Sequence, residues 1–160
     1  MSNTFELNIT VNGKTHVFDV YPNDRLSDVL RREGYFGVKT GCYTGDCGTC
    51  TVLLNNEPIV CCLMLAGQAQ GASVLTVEGL SHGPKLHAIQ EAFLDEGAIQ
   101  CGFCIPGMMI SATALLEKQP DPSEDDVREA LSANLCRCTG YERPIKAILG
   151  VAKRMKEEAK

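Results

Sequence analysis

The chain has 160 residues, of which 44 % are hydrophobic, 22 % are charged and nine are cysteine. A chain of this length can bury a core without disulfides, since folding hides roughly 68–70 % of the surface of the unfolded form. The net charge of −5 arises without a basic block, and tryptophan is absent. Composition therefore gives no reason to expect nucleic acid as a partner.

The hydropathy pattern gives no reason to expect membrane insertion or export. The longest apolar run extends from Ile59 to Ala66, well short of the roughly 20 residues that a membrane span needs. The residues after Met1 lack the basic flank and apolar stretch of a signal peptide. We therefore expect a cytoplasmic protein without a membrane span.

The first 77 residues are predicted to form a β-rich domain with one helix. Alternating apolar residues indicate strands, and Asn12-Gly13 indicates a hairpin turn between the first two. Asn23 or Asp24 is expected to cap a short helix that ends at Gly34. The predicted strands are Phe5–Val11, His16–Val20, Thr51–Leu54, Pro58–Cys62 and Ser73–Val77.

The rest of the chain is predicted to be helical. Residues 78–84 contain glycine and proline and are the best candidate for a linker to a second domain, 85–160. Apolar residues at helical spacing indicate four helices. The first helix is predicted from a stripe of Leu86, Ile89, Phe93 and Leu94 and ends at Gly97, and the second begins at Pro106. Ser123 is expected to cap the third helix, and the fourth begins at about Arg143. Packing roles are expected for Met108, Met109 and Met155.

The nine cysteines are the strongest functional signal. An odd number in a chain without an export signal disfavours a disulfide framework. Buried inert thiols could account for one or two positions, such as one of Cys61 and Cys62, but not for two separate close-set groups. Zinc and iron–sulfur clusters remain as interpretations.

The first group favours an iron–sulfur cluster. Cys42, Cys47 and Cys50 have the C-x4-C-x2-C spacing that plant-type ferredoxins use for three of their four [2Fe–2S] ligands. Interspersed glycines allow the backbone to wrap closely around such a cluster. The fourth ligand must come from Cys61 or Cys62, which would lie on opposite faces of a strand, and periodicity alone leaves that choice open.

The second group is ambiguous by spacing alone. Cys101-Gly-Phe-Cys104 and Cys136-Arg-Cys138 supply four thiols from two loops, which suits tetrahedral zinc or a small cluster. The three histidines, His16, His82 and His87, show no ligand spacing relative to the cysteines, so a Rieske arrangement has no support.

Three motifs together resemble a known family. They are Gly41-Cys-x4-Cys-Gly-x-Cys-Thr-Val, Gln100-Cys101-Gly-Phe-Cys104-x-Pro-Gly-Met and Asn134-Leu-Cys136-Arg-Cys138-Thr-Gly-Tyr141. In this order the chain resembles the small iron–sulfur subunit of the molybdenum hydroxylases, the xanthine dehydrogenase/xanthine oxidase family. Ile105 and Asp46 depart from the Thr and Glu that are common in the family, but neither is a ligand position.

The resemblance implies an α+β fold with two [2Fe–2S] clusters. An N-terminal β-grasp, plant-type ferredoxin-like domain would precede a C-terminal four-helix bundle domain, each with one cluster. In the family's pattern Cys62 rather than Cys61 is the fourth ligand of the first cluster, which leaves Cys61 spare. The implied ligands are Cys42, Cys47, Cys50 and Cys62 for the first cluster and Cys101, Cys104, Cys136 and Cys138 for the second.

The resemblance also implies partners. The residues that match Gln100 and Cys138 contact the molybdopterin of a large subunit, and the β-grasp cluster lies toward FAD, usually on a medium subunit. We expect a heterotrimer or a dimer of heterotrimers in which this chain relays electrons. The chain has no G-x-G-x-x-G fingerprint, P-loop or evident catalytic pair, so we expect no substrate site of its own.

Two other functions compete with the electron-transfer subunit. A free ferredoxin-like carrier would be a stable monomer with a polar surface around Gln100 and Cys138, and a zinc-stabilised interaction module would be colourless. The substrate is left open among purines, nicotinate, other N-heterocycles, aldehydes and CO. Similarity in the Leu65-Ala66-Gly67-Gln68 segment favours an N-heterocycle or a purine as the substrate.

Overall fold

The N-terminal part is a mixed sheet with one helix across it. A computed structural model describes residues 3–81 and 83–158. The strands in these ranges are β1 (Phe5–Val11), β2 (Lys14–Val20), β3 (Thr51–Leu54), β4 (Glu57–Val60) and β5 (Ser73–Leu75), in the spatial order β2-β1-β5-β3-β4. β1 pairs antiparallel with β2 and parallel with β5. The predicted hairpin at Asn12-Gly13 is confirmed, with both residues at positive φ.

The sheet and α1 (Leu26–Arg32) bury one apolar core between them. Alternation along β1 directs Leu7, Ile9 and Val11 into that core. The predicted helix cap at Asn23 or Asp24 is wrong: Arg25 is the N-cap and makes no side-chain capping bond. The Asp24 carboxylate instead accepts from the Tyr21 backbone N–H at 3.0 Å and pairs with Arg32 at 3.1 Å.

The strand predicted for 58–62 ends earlier than expected. β4 stops at Val60, and Cys61–Leu63 forms a 3₁₀ turn in which the Met64 N–H donates to the Cys61 carbonyl. Both Cys61 and Cys62 are buried, so the expectation of opposite strand faces is wrong. The chain turns here because it leaves the sheet edge and passes back to α1, where Leu26 N–H bonds the Met64 carbonyl.

Within residues 83–158 the chain forms four helices, as predicted. Pro106 stands in the first turn of its helix, and Ser123 caps the next by accepting from the Asp126 N–H at 3.2 Å. The stripe prediction fails at Leu86 and Leu94, which are 38 % and 57 % exposed, and the packing prediction fails at Met155, which is 39 % exposed. The helices are α2 (Ala88–Asp95), α3 (Ile105–Lys118), α4 (Glu124–Ser132) and α5 (Glu142–Glu158).

The segment between the two parts is tied to both. Thr76 exchanges hydrogen bonds with the side chain of Asn12, and Glu78 accepts from the Gly37 N–H at 2.6 Å. Leu80 is buried in the helical core. Of the predicted linker, His82 lies outside the described residues, as do Met1, Ser2, Ala159 and Lys160 at the ends of the two predicted domains.

The two cores meet through β3 and α3. Leu53 of β3 is buried among the helical residues, so the sheet contributes directly to the second core. None of the helices in the described ranges has the length and apolar character that crossing a bilayer requires.

Candidate metal centres

The first three cysteines lie in one loop between α1 and β3. Backbone N–H groups of Thr44 and Cys47 both point at the Cys42 sulfur, each at 3.4 Å. Hydrogen bonds from Thr44, and then from Cys47, lower the pKa of the Cys42 thiol to about 6. The loop thus favours a thiolate at this position, which is the form that binds metal.

Two glycines let this loop close tightly. A Cβ on Gly41 would lie 3.0 Å from the Cys47 sulfur, and Gly48 has φ +64. A side chain at Gly41 would enter the space next to the thiols, while Gly48 adopts a conformation that is costly for other residues. The glycine pattern that predicted close wrapping therefore has a structural basis at these two positions.

Cys61 and Cys62 both approach Cys50, but they do so differently. The Cys61 thiol is fully buried and donates to the Cys50 carbonyl at 2.9 Å. A separate contact between the Cys61 and Cys50 side chains is the largest of the influences that lower the pKa of the Cys50 thiol to about 6, and the same contact raises the pKa of Cys61 itself. Cys61 therefore behaves as a neutral donor.

Cys62 faces the cysteine loop. Burial, followed by its contact with Cys50, raises the pKa of its thiol to about 11, while a hydrogen bond from the Gly45 backbone opposes the rise. The charge on Cys42 also acts on it. The structure thus brings Cys62 together with the loop cysteines, whereas the Cys61 thiol bonds the backbone of Cys50.

The second group joins two loops of the helical part. Cys101 and Cys104 precede α3, and Cys104 is the N-cap of that helix. Cys136 and Cys138 lie between α4 and α5. The sulfurs of Cys101 and Cys138 are 3.5 Å apart, and Cys104 contacts Cys136.

This second group has a buried side and an exposed side. Cys104 is buried, and burial, followed by the contact with Cys136, raises the pKa of its thiol to about 12. Cys101 and Cys138 are exposed. Gln100 is exposed beside them, so the two residues predicted to contact a pterin, Gln100 and Cys138, lie at the surface.

The loop that carries Cys136 is fixed by Tyr141. The tyrosine hydroxyl accepts from the Cys136 N–H at 2.8 Å and donates to the Asn134 carbonyl at 3.1 Å. The Thr139 N–H points at the Cys136 sulfur at 3.4 Å. This sulfur therefore receives a backbone hydrogen bond of the same kind as Cys42.

The thiols of both groups stand in pairs. These pairs are Cys42 with Cys47, Cys50 with Cys62, Cys101 with Cys138, and Cys104 with Cys136. Within residues 3–81 and 83–158, no three His, Cys, Asp or Glu side chains gather closely enough around one point to hold a single metal ion. Two thiol pairs per site fit a [2Fe–2S] cluster, which takes four cysteines over two irons.

The first cysteine loop and the loop that carries Cys136 also touch each other, through contacts that the sequence did not predict. The Leu135 N–H donates to the Cys47 carbonyl at 2.9 Å, and the buried side chain of Asn134 reaches the Gly48 carbonyl. Asn134 belongs to a quoted motif, but its own role had no signal in the sequence because its contacts lie 86 residues away along the chain.

Comparison with known families gives two matches, one in the sheet part and one in the helical part. Residues 9–72 match the model of a 2Fe-2S iron-sulfur cluster binding domain, and residues 76–149 match that of a [2Fe-2S] binding domain. Two such domains in one chain give two sites for [2Fe–2S] clusters, one in the sheet part and one in the helical part.

Relatives of similar length agree with this assignment. The chain is 46 % identical over 140 residues to the nicotinate dehydrogenase small FeS subunit of Eubacterium barkeri, covering 87 % of this chain and 89 % of that protein. It is 40 % identical over 154 residues to the xanthine dehydrogenase iron-sulfur-binding subunit of Escherichia coli O157:H7, covering 95 % and 97 %.

A solved structure extends the agreement to the fold. A chain of quinoline 2-oxidoreductase from Pseudomonas putida 86 superposes with a TM-score of 0.93 at 48 % identity, and the match covers 98 % of both chains. Fold, paired thiols and relatives therefore agree that this chain belongs to the small [2Fe–2S] iron–sulfur subunits of the molybdenum hydroxylase (xanthine dehydrogenase/xanthine oxidase) family, and that it serves an oxidoreductase.

Proposed function

We propose that this chain relays electrons from the molybdopterin centre of a large subunit toward FAD on a medium subunit. The observation that carries the proposal is that one chain holds two groups of four thiols, and that the loop with Cys47 contacts the loop with Cys136 directly. When bound, two [2Fe–2S] clusters supply one-electron oxidation and reduction at these positions. The chain's own residues hold the two sites at a fixed separation and set their surroundings.

The proposed ligands follow the thiol pairs. Cys62 rather than Cys61 completes the first set, because Cys62 faces the cysteine loop while Cys61 donates to the Cys50 carbonyl. The proposed sets are Cys42, Cys47, Cys50 and Cys62 for the first cluster, and Cys101, Cys104, Cys136 and Cys138 for the second.

The exposed side of the second group is proposed to face the large subunit. Cys101, Cys138 and Gln100 are exposed there, and Gln100 and Cys138 are the proposed contacts to the pterin. Three apolar side chains flank these residues in sequence and are also exposed: Ile99, Phe103 and Leu135. Exposed apolar side chains next to polar contacts are typical of a protein interface.

The exposed apolar side chains beside Gln100 and Cys138 argue against a free ferredoxin-like carrier. A carrier that exchanges partners would present a polar surface around Gln100 and Cys138, whereas Phe103 is 45 % and Leu135 is 64 % exposed. We therefore propose permanent association in a heterotrimer or a dimer of heterotrimers. The cytoplasmic location expected from the sequence stays a prediction.

For the substrate of the complex we propose an N-heterocycle or a purine. The support comes from relatives whose names refer to nicotinate, xanthine and quinoline. This chain would influence the reaction only by accepting electrons, since the pocket for the substrate would belong to the large subunit.

Metal analysis, EPR spectroscopy and co-purification test the proposal together. A tagged chain purified from its native host should bring two larger chains with it and contain about four irons. Reduction should give two distinguishable [2Fe–2S] signals. Two irons with one zinc would overturn the second cluster, a colourless protein would favour the zinc module, and purification as a monomer would favour the free carrier.

A further inference from the structure

One buried amide joins the two parts of the chain. Asn134, just after α4, is only 1 % exposed. Its Nδ2 group donates to the Gly48 carbonyl at 2.9 Å and lies 3.3 Å from the Thr51 hydroxyl. Its Oδ1 atom accepts from the Ser111 hydroxyl at 2.7 Å. The side chain is therefore bonded on both sides of the junction.

The orientation of this amide is determined by its neighbours. The Gly48 carbonyl can only accept, so the nitrogen of Asn134 must face it. The same carbonyl also accepts from the Thr51 N–H at 3.1 Å and from the Thr51 hydroxyl at 2.7 Å. Replacing the amide nitrogen with a carboxylate oxygen would place one acceptor against another in a buried site, which is costly.

The backbones around Asn134 touch without room for a side chain. A Cβ on Gly48 would lie 1.9 Å from the Ala133 carbonyl oxygen and 2.7 Å from Asn134 Nδ2. A Cβ on Gly107 of α3 would lie 2.5 Å from the Gly48 carbonyl oxygen. Two glycines thus meet at the amide, one from each part of the chain.

The contact between Asn134 and Gly48 lies next to both thiol groups along the chain. Gly48 lies between Cys47 and Cys50 in the first loop, and Asn134 lies two residues before Cys136 in the second. A shift of the Asn134 side chain would therefore move the two loops relative to each other, although it touches none of the eight thiols proposed as ligands.

We propose that Asn134 is a positioning residue that fixes the separation and orientation of the two cluster sites. The inference rests on the proposed function, in which both thiol groups hold [2Fe–2S] clusters. It adds a residue outside the ligand sets whose side chain sets the coupling between them.

Three variants of the full chain test this role. Asn134→Asp keeps the oxygen that accepts from Ser111 but replaces the amide donor that faces Gly48. Ser111→Ala removes the bond on the other side of the amide. Thr113→Val is the matched control, because Thr113 is also a buried hydroxyl of α3, but it bonds within its own helix to the Met109 carbonyl at 2.8 Å.

Two measurements report on the contact. Hydrogen exchange of the Leu135 N–H, which bonds the Cys47 carbonyl, measures how often the loops separate. EPR of the reduced protein measures the g values of each cluster and the magnetic interaction between them. A residue that only stabilised the fold would alter the signals of individual clusters or alter nothing, whereas a positioning residue changes the interaction alone.

We expect Asn134→Asp to retain both sets of g values, to weaken the magnetic interaction, and to speed exchange at Leu135 by about tenfold. Ser111→Ala should also weaken the magnetic interaction and speed exchange at Leu135, but less than Asn134→Asp does. Thr113→Val should match wild type in both measurements. If Asn134→Asp does not fold, the comparison of Ser111→Ala with Thr113→Val decides whether the bonds of the Asn134 amide fix the two loops.

Wild-type exchange and interaction in both Asn134→Asp and Ser111→Ala would overturn the inference, as would equal effects in Thr113→Val. Failure of the proposed function looks different, because the wild-type protein itself would then lack one or both [2Fe–2S] signals. Exchange at Leu135 does not require a cluster, so it still decides whether Asn134 holds the two loops together.

Discussion

The backbone N–H of Leu135 donates to the backbone carbonyl of Cys47 over 2.9 Å. Cys47 belongs to the first cysteine loop, and Leu135 directly precedes Cys136 in the second. One hydrogen bond therefore links the two thiol-bearing segments directly. The two domains are therefore joined at their metal sites as well as through the chain at 76–80. Each variant near this junction has to be judged by its effect on both sites.

The first prediction concerns Cys138. Replacing Cys138 with Ser should remove the [2Fe–2S] signal of the helical domain and leave that of the sheet domain, because a serine hydroxyl is a poor substitute for a thiolate ligand. EPR and iron analysis measure this, with a loss of about two irons. Arg137→Lys, at an exposed neighbouring position, should keep both signals.

Two outcomes would contradict this prediction. Retention of both signals in Cys138→Ser would remove Cys138 from the ligand set. Loss of both would mean that the two domains do not bind their clusters independently, which the contact between Leu135 and Cys47 makes a meaningful alternative.

The second prediction concerns the spare thiol. Cys61→Ala should retain all iron, because Cys62 is the proposed ligand, but it removes the buried donor that contacts Cys50. Hydrogen bonds to ligand sulfurs contribute to cluster potentials, so the reduction potential of the sheet-domain cluster should become more negative. Redox titration followed by EPR measures the shift.

Cys61→Ser is the control for this variant, since its hydroxyl keeps a buried donor next to Cys50. Its potential should lie closer to that of wild type than the potential of Cys61→Ala. A missing cluster in Cys61→Ala would instead identify Cys61, and not Cys62, as the fourth ligand.

Local signals in the sequence predicted most of the fold. Alternation located β1 and β2, Pro106 and Ser123 located the starts of α3 and α4, and ligand spacing located both cysteine groups. These features depend on neighbours a few residues away, which a sequence displays directly. The first cysteine group was the clearest, because three ligands from one loop must lie close together along the chain, whereas spacing alone left the metal of the second group open.

Features that depend on competing side-chain contacts or on distant parts of the chain were missed. Asp24 does not cap α1 because its carboxylate is already bonded to Tyr21 and Arg32. The strand at 58–60 ends in a turn because the chain must pass back to α1. Asn134 finds its partners 83 and 86 residues away, in a loop that no local pattern links to it.

The third prediction concerns the close approach at Gly48. Gly48→Ala should lower the free energy of unfolding by about 3 kcal/mol, since the added Cβ combines a positive φ with overlap of a backbone oxygen. Gly71→Ala is the matched control, with φ +72 and open space around it, and should cost about 1 kcal/mol. Denaturant unfolding followed by circular dichroism compares them, and equal losses would show that overlap at Gly48 is relieved by movement of the loops.

The last prediction concerns the surface proposed to meet the large subunit. Leu135 is 64 % exposed beside the second cysteine group, and Leu94 is 57 % exposed on α2. Because an exposed side chain contributes little to folding, neither Leu135→Ala nor Leu94→Ala should change the thermal midpoint appreciably. At an interface, however, a buried leucine contributes to affinity, so Leu135→Ala should raise the dissociation constant for the large subunit by about tenfold. Binding measurements on the purified subunits compare the two variants, and the interface would have to be sought elsewhere if Leu94→Ala had the larger effect.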